Sequence, residues 1–312
     1  MGTGNKRVKR ALLRSMKKVF GAIAAAMLFG FSVETSGQER LLVSELLFQP
    51  RSHEAEYVEL YNGGNTSLEL SDYHIVRWIG DSLGTHYPLP SHTLAAHDYV
   101  VLTKDAASVT ACYTVKYANK IVECKLPAYP NSGGSVVLAT ADSVVVEKFD
   151  YRPEMHSRLL RNKAGVALER RSYDRPANEG SNWFSAASTV GYGTPGYANS
   201  QSSEYLVEER CFDFSATRLS PDGDDYEDEL VVEYRLDEAG LGARCEVYDA
   251  RGVQVRRLLN NDLLGSHGQI IWNGRNDQGQ LLPTGQYLLV LTLFDTEGTR
   301  QILRRTITLW AP

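Results

Sequence analysis

No stretch of this chain sustains a helical apolar stripe over three turns; short runs alternate apolar with polar residues instead, and turn residues separate them. In the N-terminal half such runs fall at residues 41–48, 57–61, 73–78, 99–103, 135–139, 143–149, 165–170 and 182–185. Asn62-Gly63-Gly64-Asn65, Pro88-Leu89-Pro90 and Asn131-Ser132-Gly133-Gly134 stand between them. Residues 103–119 are weakly patterned and read as a short helix or a long loop. Many short strands punctuated this way predict an all-β sandwich.

A second series follows at 211–215, 228–236, 243–249, 253–259, 269–272, 286–294 and 300–309. Leu230, Val232, Tyr234 and Leu236 share one face, and residues 287–294 are apolar on both faces, as in a central strand. Asp249-Ala250-Arg251-Gly252 and Asp295-Thr296-Glu297-Gly298 read as hairpin turns. At 312 residues the chain exceeds one average domain. The expected organisation is two tandem immunoglobulin-like β-sandwiches at 38–200 and 210–312, joined by a linker at 201–209 in a Ser/Gln-rich stretch.

Residues 1–37 read as a cleaved signal peptide. Seven basic residues precede an apolar run of 15 residues, 19–33, short of the ~20 that a membrane span needs. Thr35 and Gly37 supply small residues before a cleavage point at Gln38. Removing this leader leaves 26 basic against 37 acidic residues, a net charge near −11. Phosphate neutralisation needs a basic face, so nucleic acid is not an expected partner.

Four cysteines, Cys112, Cys124, Cys211 and Cys245, suit an exported chain with disulfides. Proximity favours Cys112–Cys124, worth about 3 kcal/mol by the chain-entropy argument. A Cys211–Cys245 bridge would staple the second unit, but parity argues against it. Cys211 turns outward from Phe212 and Phe214, whereas Cys245 shares a face with Ala243 and Val247. No Cys/His spacing suggests zinc.

Residues 40–200 resemble the lamin tail domain, an immunoglobulin-like sandwich. The residues that carry the likeness are Val43–Phe48, Glu56–Asn62, Leu70–Tyr73, Val166–Arg170, Asn182–Ala186 and Gly193–Asn199. Residues 210–310 resemble the immunoglobulin-like domain of flagellar hook-capping proteins and the C-terminal domains of type IX secretion substrates. Here the likeness lies in Leu219–Asp224, Val247–Gly252, Ile271–Gly274 and Pro283–Tyr287. The resemblances imply an exported, non-enzymatic protein of the periplasm, outer-membrane surface or medium. It would act as an adhesion or scaffold module toward protein or glycan, with a C-terminal sorting or docking domain and peripheral outer-membrane association. The alternatives are an accessory subunit of an outer-membrane or secretion complex, and a carbohydrate-binding module.

Chemistry-bearing patterns are sparse. Asp222, Asp224 and Asp228 have the alternating oxygen spacing that Ca²⁺ accepts, with Gly223 allowing a sharp turn; no other cofactor is expected. His86, His92 and His97 lie in an apparent loop whose spacing does not enforce convergence. Paired acids such as Glu56 and Glu59 read as strand-edge residues kept for solubility. Trp78, Tyr57 and Tyr61 form the candidate binding surface, as a sugar-stacking platform. No nucleophile elbow, zinc helix or phosphate loop appears.

Overall fold

Alternation at β-period fills two facing pairs of sheets. The computed structural model describes residues 40–52 and 54–311, so the expected leader at 1–37 lies outside the described residues. In the first sandwich a six-stranded sheet runs in the order β12 (Trp183–Ser185), β11 (Leu168–Arg170), β1 (Leu41–Leu47), β2 (Tyr57–Asn62), β7 (Tyr99–Thr103), β8 (Ile121–Glu123). Facing it are β10 (Val145–Tyr151), β9 (Gly134–Thr140), β4 (Tyr73–Ile79) and β5 (Ser82–Pro88). A short pair, β3 (Leu68–Glu69) and β6 (Thr93–Leu94), completes the unit.

Between the sheets Val43, Val58, Leu60, Ile75, Val100, Leu138 and Phe149 are fully buried, each worth about 1.5–3 kcal/mol of transfer free energy. Trp183 stacks on Phe149 with ring centroids 3.7 Å apart, and its indole N–H donates to the Ala177 carbonyl at 2.6 Å. A β-bulge interrupts β1 between Val43 and Glu45, so Val43 pairs with Leu60 while Glu45 pairs with the very next partner residue, Glu59. The weakly patterned segment holds the helix α1 (Ala106–Cys112), capped by Asp105, whose carboxylate accepts from Ser108 N–H at 3.0 Å. Val109 and the adjoining Tyr113 pack on the outer face of the six-stranded sheet against Leu47, Tyr57 and Val101.

The second sandwich sets β13 (Cys211–Phe214), β15 (Leu230–Arg235) and β18 (His267–Trp272) against a five-stranded sheet. That sheet runs β14 (Arg218–Leu219), β20 (Arg300–Leu309), β19 (Gly285–Phe294), β16 (Gly242–Tyr248), β17 (Gln254–Leu263). Leu230, Val232 and Tyr234 point inward as their alternation predicts, and β19 is the central strand between β20 and β16.

The expected linker begins as a packed joint. Gln201 is fully buried: its amide donates to Ser185 O at 3.1 Å and to Leu264 O at 2.9 Å, and accepts from Gly240 N–H at 3.1 Å. Ser266 donates its backbone N–H to Ser200 O at 2.7 Å, and its Oγ lies 2.8 Å from Ser202 O and 3.0 Å from Ser200 O. The polar composition that suggested a loose connection instead satisfies backbone groups at the contact of the two sandwiches.

The disulfide expectation is corrected, since all four cysteines are free thiols. Cys112 packs against the apolar cluster outside the six-stranded sheet, whereas Cys124 packs against the core on its other side. Cys211 is exposed on β13, and Cys245 is buried on the opposite sheet facing the core. The first pair is separated because Cys112 ends α1 outside the sheet while Cys124 follows β8 on the core side, and the second because Cys211 faces outward on β13 while Cys245 faces inward on β16.

Candidate functional site

Cross-strand register places three carboxyl groups side by side on the outer face of the first sandwich. Glu59 on β2 lies opposite Glu45 on β1, and Glu45 lies opposite Glu169 on β11. Like charges directly opposite are unfavourable even in water. Here all three residues are fully buried, roofed by the strap of residues 194–201. Tyr57 OH donates to Glu45 Oε1 at 2.7 Å, and Thr194 N–H donates to the same oxygen at 3.1 Å. Glu169 Oε2 accepts from Ser200 Oγ at 2.7 Å and from Gln201 N–H at 2.9 Å. Gly196 N–H donates to Glu59 Oε2 at 2.7 Å, while Glu59 Oε1 has no hydrogen-bond partner. Asn199 clamps the strap from the other side, donating to Ser44 O at 3.0 Å and Arg170 O at 2.9 Å.

Burial, then the neighbouring Glu169, pushes Glu45 up to about 8. Burial, with Glu45 beside it, holds Glu59 well above the ordinary carboxylate range, and burial also raises Glu169. Sequence reasoning treated Glu59 as a solubilising edge acid and passed over Glu45 and Glu169. The available signal was an acid inside an apolar alternation on strands flanked by others on both sides.

The strap also forms one wall of a groove of about 950 Å³ at the junction of the sandwiches. Its floor is the outer face of β13, β15 and β18. Arg235 pairs with Cys211 on one side and His267 on the other; two residues along, Glu233 stands between Asp213 and Gln269. Tyr197, Tyr117 and Lys116 line it from the first sandwich, and Tyr205 packs at a tilt against His267 with centroids 4.0 Å apart. Lys116 Nζ stands 4.0 Å above the Tyr197 ring. Burial, then the charges of Arg235 and Lys116, lowers the His267 pKa, so side chains of both sandwiches act on one imidazole. Concave, aromatic and polar lining at a domain junction is where ligand sites concentrate.

The expected sugar platform is not assembled: Tyr57 and Tyr61 share the outer face of β2, but Trp78 lies on the other sheet, on β4. Tyr57 is fully buried under Val109 and Tyr113. Tyr61 stacks on Tyr173 at 4.1 Å, and Trp78 lies on the four-stranded sheet with Lys148 Nζ 4.8 Å from its ring. Nor do His86, His92 and His97 converge, and His86 lies within β5, outside the expected loop. His86 Nδ1 meets His74 Nδ1 at 3.1 Å, His97 Nδ1 meets Tyr61 OH at 3.3 Å, and His92 N–H donates to Glu69 Oε1 at 2.7 Å.

Asp222, Asp224 and Asp228 do come together, with one carboxylate oxygen of each within 4.8 Å of the others. Asp228 already accepts from Gly223 N–H at 2.8 Å and Asp225 N–H at 2.9 Å. The backbone turns through positive φ at Gly223, Asp225 and Glu227. This is an exposed oxygen-rich loop of the kind hard cations accept.

Residues 34–153 match the Lamin Tail Domain family. The match ends two residues beyond β10 and does not reach β11 or the strap. No curated protein matches the chain. Similar solved structures include FlgD from P. aeruginosa, at 20% identity and a TM-score of 0.22, covering 27% of this chain and 63% of that one. Dimeric latent PorU from Porphyromonas gingivalis is similar at 10% identity and a TM-score of 0.27, over 91% of this chain and 21% of that one. PorZ, an essential surface component of the type-IX secretion system of the same organism, is similar at 12% identity and a TM-score of 0.25, over 84% and 30%. The chain thus spans less than two thirds of each. Among the described residues no helix is long and apolar enough to cross a membrane.

Proposed function

We propose that this chain is an exported, non-enzymatic binding protein of the cell envelope or medium that presents the junction groove to a partner. What supports this most is that the groove's two sides belong to different sandwiches pinned together by Ser200, Gln201 and Ser266. Walls fixed in advance hold a ligand without an ordering cost at binding. The second sandwich, on this reading, also serves sorting or docking at the outer membrane.

A glycan is the favoured ligand within this reading. Tyr117, Tyr197 and Tyr205 line the groove together with Asp213, Arg235 and Gln269, a mixture of aromatic and planar polar groups that suits hydroxyl-rich rings better than apolar side chains. The aspartate loop at Asp222, Asp224 and Asp228 is proposed to take Ca²⁺.

The test is capture from the native envelope and on a glycan array at neutral pH. Tyr197→Ala with Arg235→Ala should lower retention at least tenfold, while Trp78→Ala should leave it intact. Full retention by the groove variant would remove the groove from the account.

A further inference from the structure

Counting hydrogens at Thr194 gives a result that the distances alone do not. Its hydroxyl oxygen lies 2.8 Å from Glu169 Oε1, 3.1 Å from Glu45 Oε2 and 3.4 Å from Asn199 Oδ1. A hydroxyl has one hydrogen to give and two lone pairs to receive with. Were both glutamates ionised, at least one carboxylate oxygen would face the Thr194 oxygen with no hydrogen between them. In a site without solvent that arrangement is costly.

The remaining donors decide where the extra hydrogen sits. Glu169 is served as a carboxylate by Ser200 Oγ, Gln201 N–H and the Thr194 hydroxyl. Glu45 Oε1 is served by Tyr57 OH and by Thr194 N–H at 3.1 Å; that one N–H also reaches Oε2 at 3.3 Å, and Oε2 otherwise faces Thr194 Oγ1, whose hydrogen goes to Glu169. A hydrogen on Glu45 Oε2 completes one directed chain, from Glu45 to Thr194 to Glu169.

We propose that the strap of residues 194–201 is locked by a proton on Glu45, passed in hydrogen-bond sense through Thr194 to an ionised Glu169, and that its loss loosens the strap. The proton leaves to solvent base, and the strap then roofs two opposed carboxylates where it had roofed one acid and one carboxylate. The strap supplies a wall of the groove and its end, Gln201, is the joint between the sandwiches, so release would disturb both. That consequence for ligand binding rests on the function proposed above; the location of the proton does not.

The groups facing this site do not offer a compensating cation. From β2 come Tyr57 and Glu59, from the strap Tyr197, from the end of α1 Tyr113, and from the sheet and its loops Tyr99 and Tyr173. Beyond Tyr113, Glu54 and Arg51 act on that phenol. Lys116 sits on the Tyr197 ring, and Lys120, beside Gly196, pairs with Asp98 at 2.5 Å. Arg170 is spent on Glu147 at 2.8 Å and Val43 O at 3.1 Å. No lysine, arginine or histidine hydrogen-bonds any of the three glutamates among the described residues.

Infrared spectroscopy and thermal melting of the full chain test this. The parent should show the C=O stretch of a protonated carboxylic acid at neutral pH. Part of that band should fade as pH rises through about 8, while Gly196 and Gln201 amides lose exchange protection. Glu45→Gln, whose amide can donate to Thr194, should lose the part of the band that fades through about 8, which Glu59→Gln keeps, and flatten the alkaline decline in melting temperature. Three results would overturn the proposal: no such fading band in the parent, a fading band surviving in Glu45→Gln but vanishing in Glu59→Gln, or an unchanged alkaline decline in Glu45→Gln. Should Glu45→Gln not fold, the parent's fading band and its fate in Glu59→Gln still decide. Failure to capture any envelope partner would leave all these readouts unaffected and would count against the functional reading alone.

Discussion

The Ser200 carbonyl accepts the Ser266 N–H of the second sandwich at 2.7 Å, and the Ser266 hydroxyl lies between that same carbonyl, at 3.0 Å, and Ser202 O, at 2.8 Å. Bonds from one residue to the end of the strap, shielded from water, tie the second sandwich to the first. Gly265 permits this: a Cβ there would stand 2.8 Å from the Ser200 carbonyl oxygen. Gly265→Ala should therefore destabilise the protein by about 1–3 kcal/mol through backbone displacement. Gly180→Ala, where nothing lies within 4 Å, should change stability by less than about 1 kcal/mol. Urea unfolding of the two variants beside the parent checks both values.

Acid should unfold the first sandwich partly through His156. Its ring is buried, stacked near Phe48 at 5.4 Å, with Nδ1 2.9 Å from Ser185 Oγ. Burial, then Lys163, pushes its pKa down to about 4 from the usual 6.5. The unfolded chain therefore takes up this proton first as pH falls. Stability is full above 6.5 and is lost as pH drops toward 4, by at most about 3 kcal/mol. His156→Gln should lower stability at neutral pH yet flatten the slope in that window, measured by chemical unfolding across pH.

Thiol chemistry separates the four cysteines by position. Cys211 is exposed and should be alkylated first. Burial pushes Cys124 up to about 11 and Cys245 up to about 12, so little thiolate exists at neutral pH and both should lag. Mass spectrometry after timed iodoacetamide treatment should give that order, and denaturation without reductant should label all four. A protected Cys112–Cys124 pair in the denatured chain would contradict the free thiols.

Millimolar Ca²⁺ should raise the melting temperature of the full chain if the aspartate loop binds it. At a hundredfold excess over Kd the gain is about 2.7 kcal/mol. Asp228→Asn should abolish the shift, although its loss of the bonds to Gly223 and Asp225 will itself soften the loop. Calorimetry with Mg²⁺ as the control distinguishes a site from general screening.

Strand identity was legible because burial on one face enforces a two-residue period. Leu230, Val232 and Tyr234 announce their face, and the apolar run of β19 announces a central strand. Cys211 and Cys245 were legible too, since parity set them on opposite faces before any contact was known. What could not be read was which outer faces stay wet. Glu59 and Tyr57 look solvated when β2 is taken alone, and only distant segments cover them: the strap, more than a hundred residues later, over Glu59, and Val109 and Tyr113 over Tyr57. The same limit hid the groove, because Tyr197 and His267 belong to different sandwiches and meet only through the joint.

The bulge in β1 has a consequence for grip. The residues that face the core here are 41 and 43, then 46 and 48, a stutter of one residue. A regular strand shows one outward side chain for every two residues. The stutter turns Ser44 and Glu45 outward in succession, so a single turn of pleat offers the overlying chain two handholds: a hydroxyl toward Asn199 and Tyr173, and a carboxyl toward Thr194. One surplus residue thereby doubles the fastening points that this strand gives its cover.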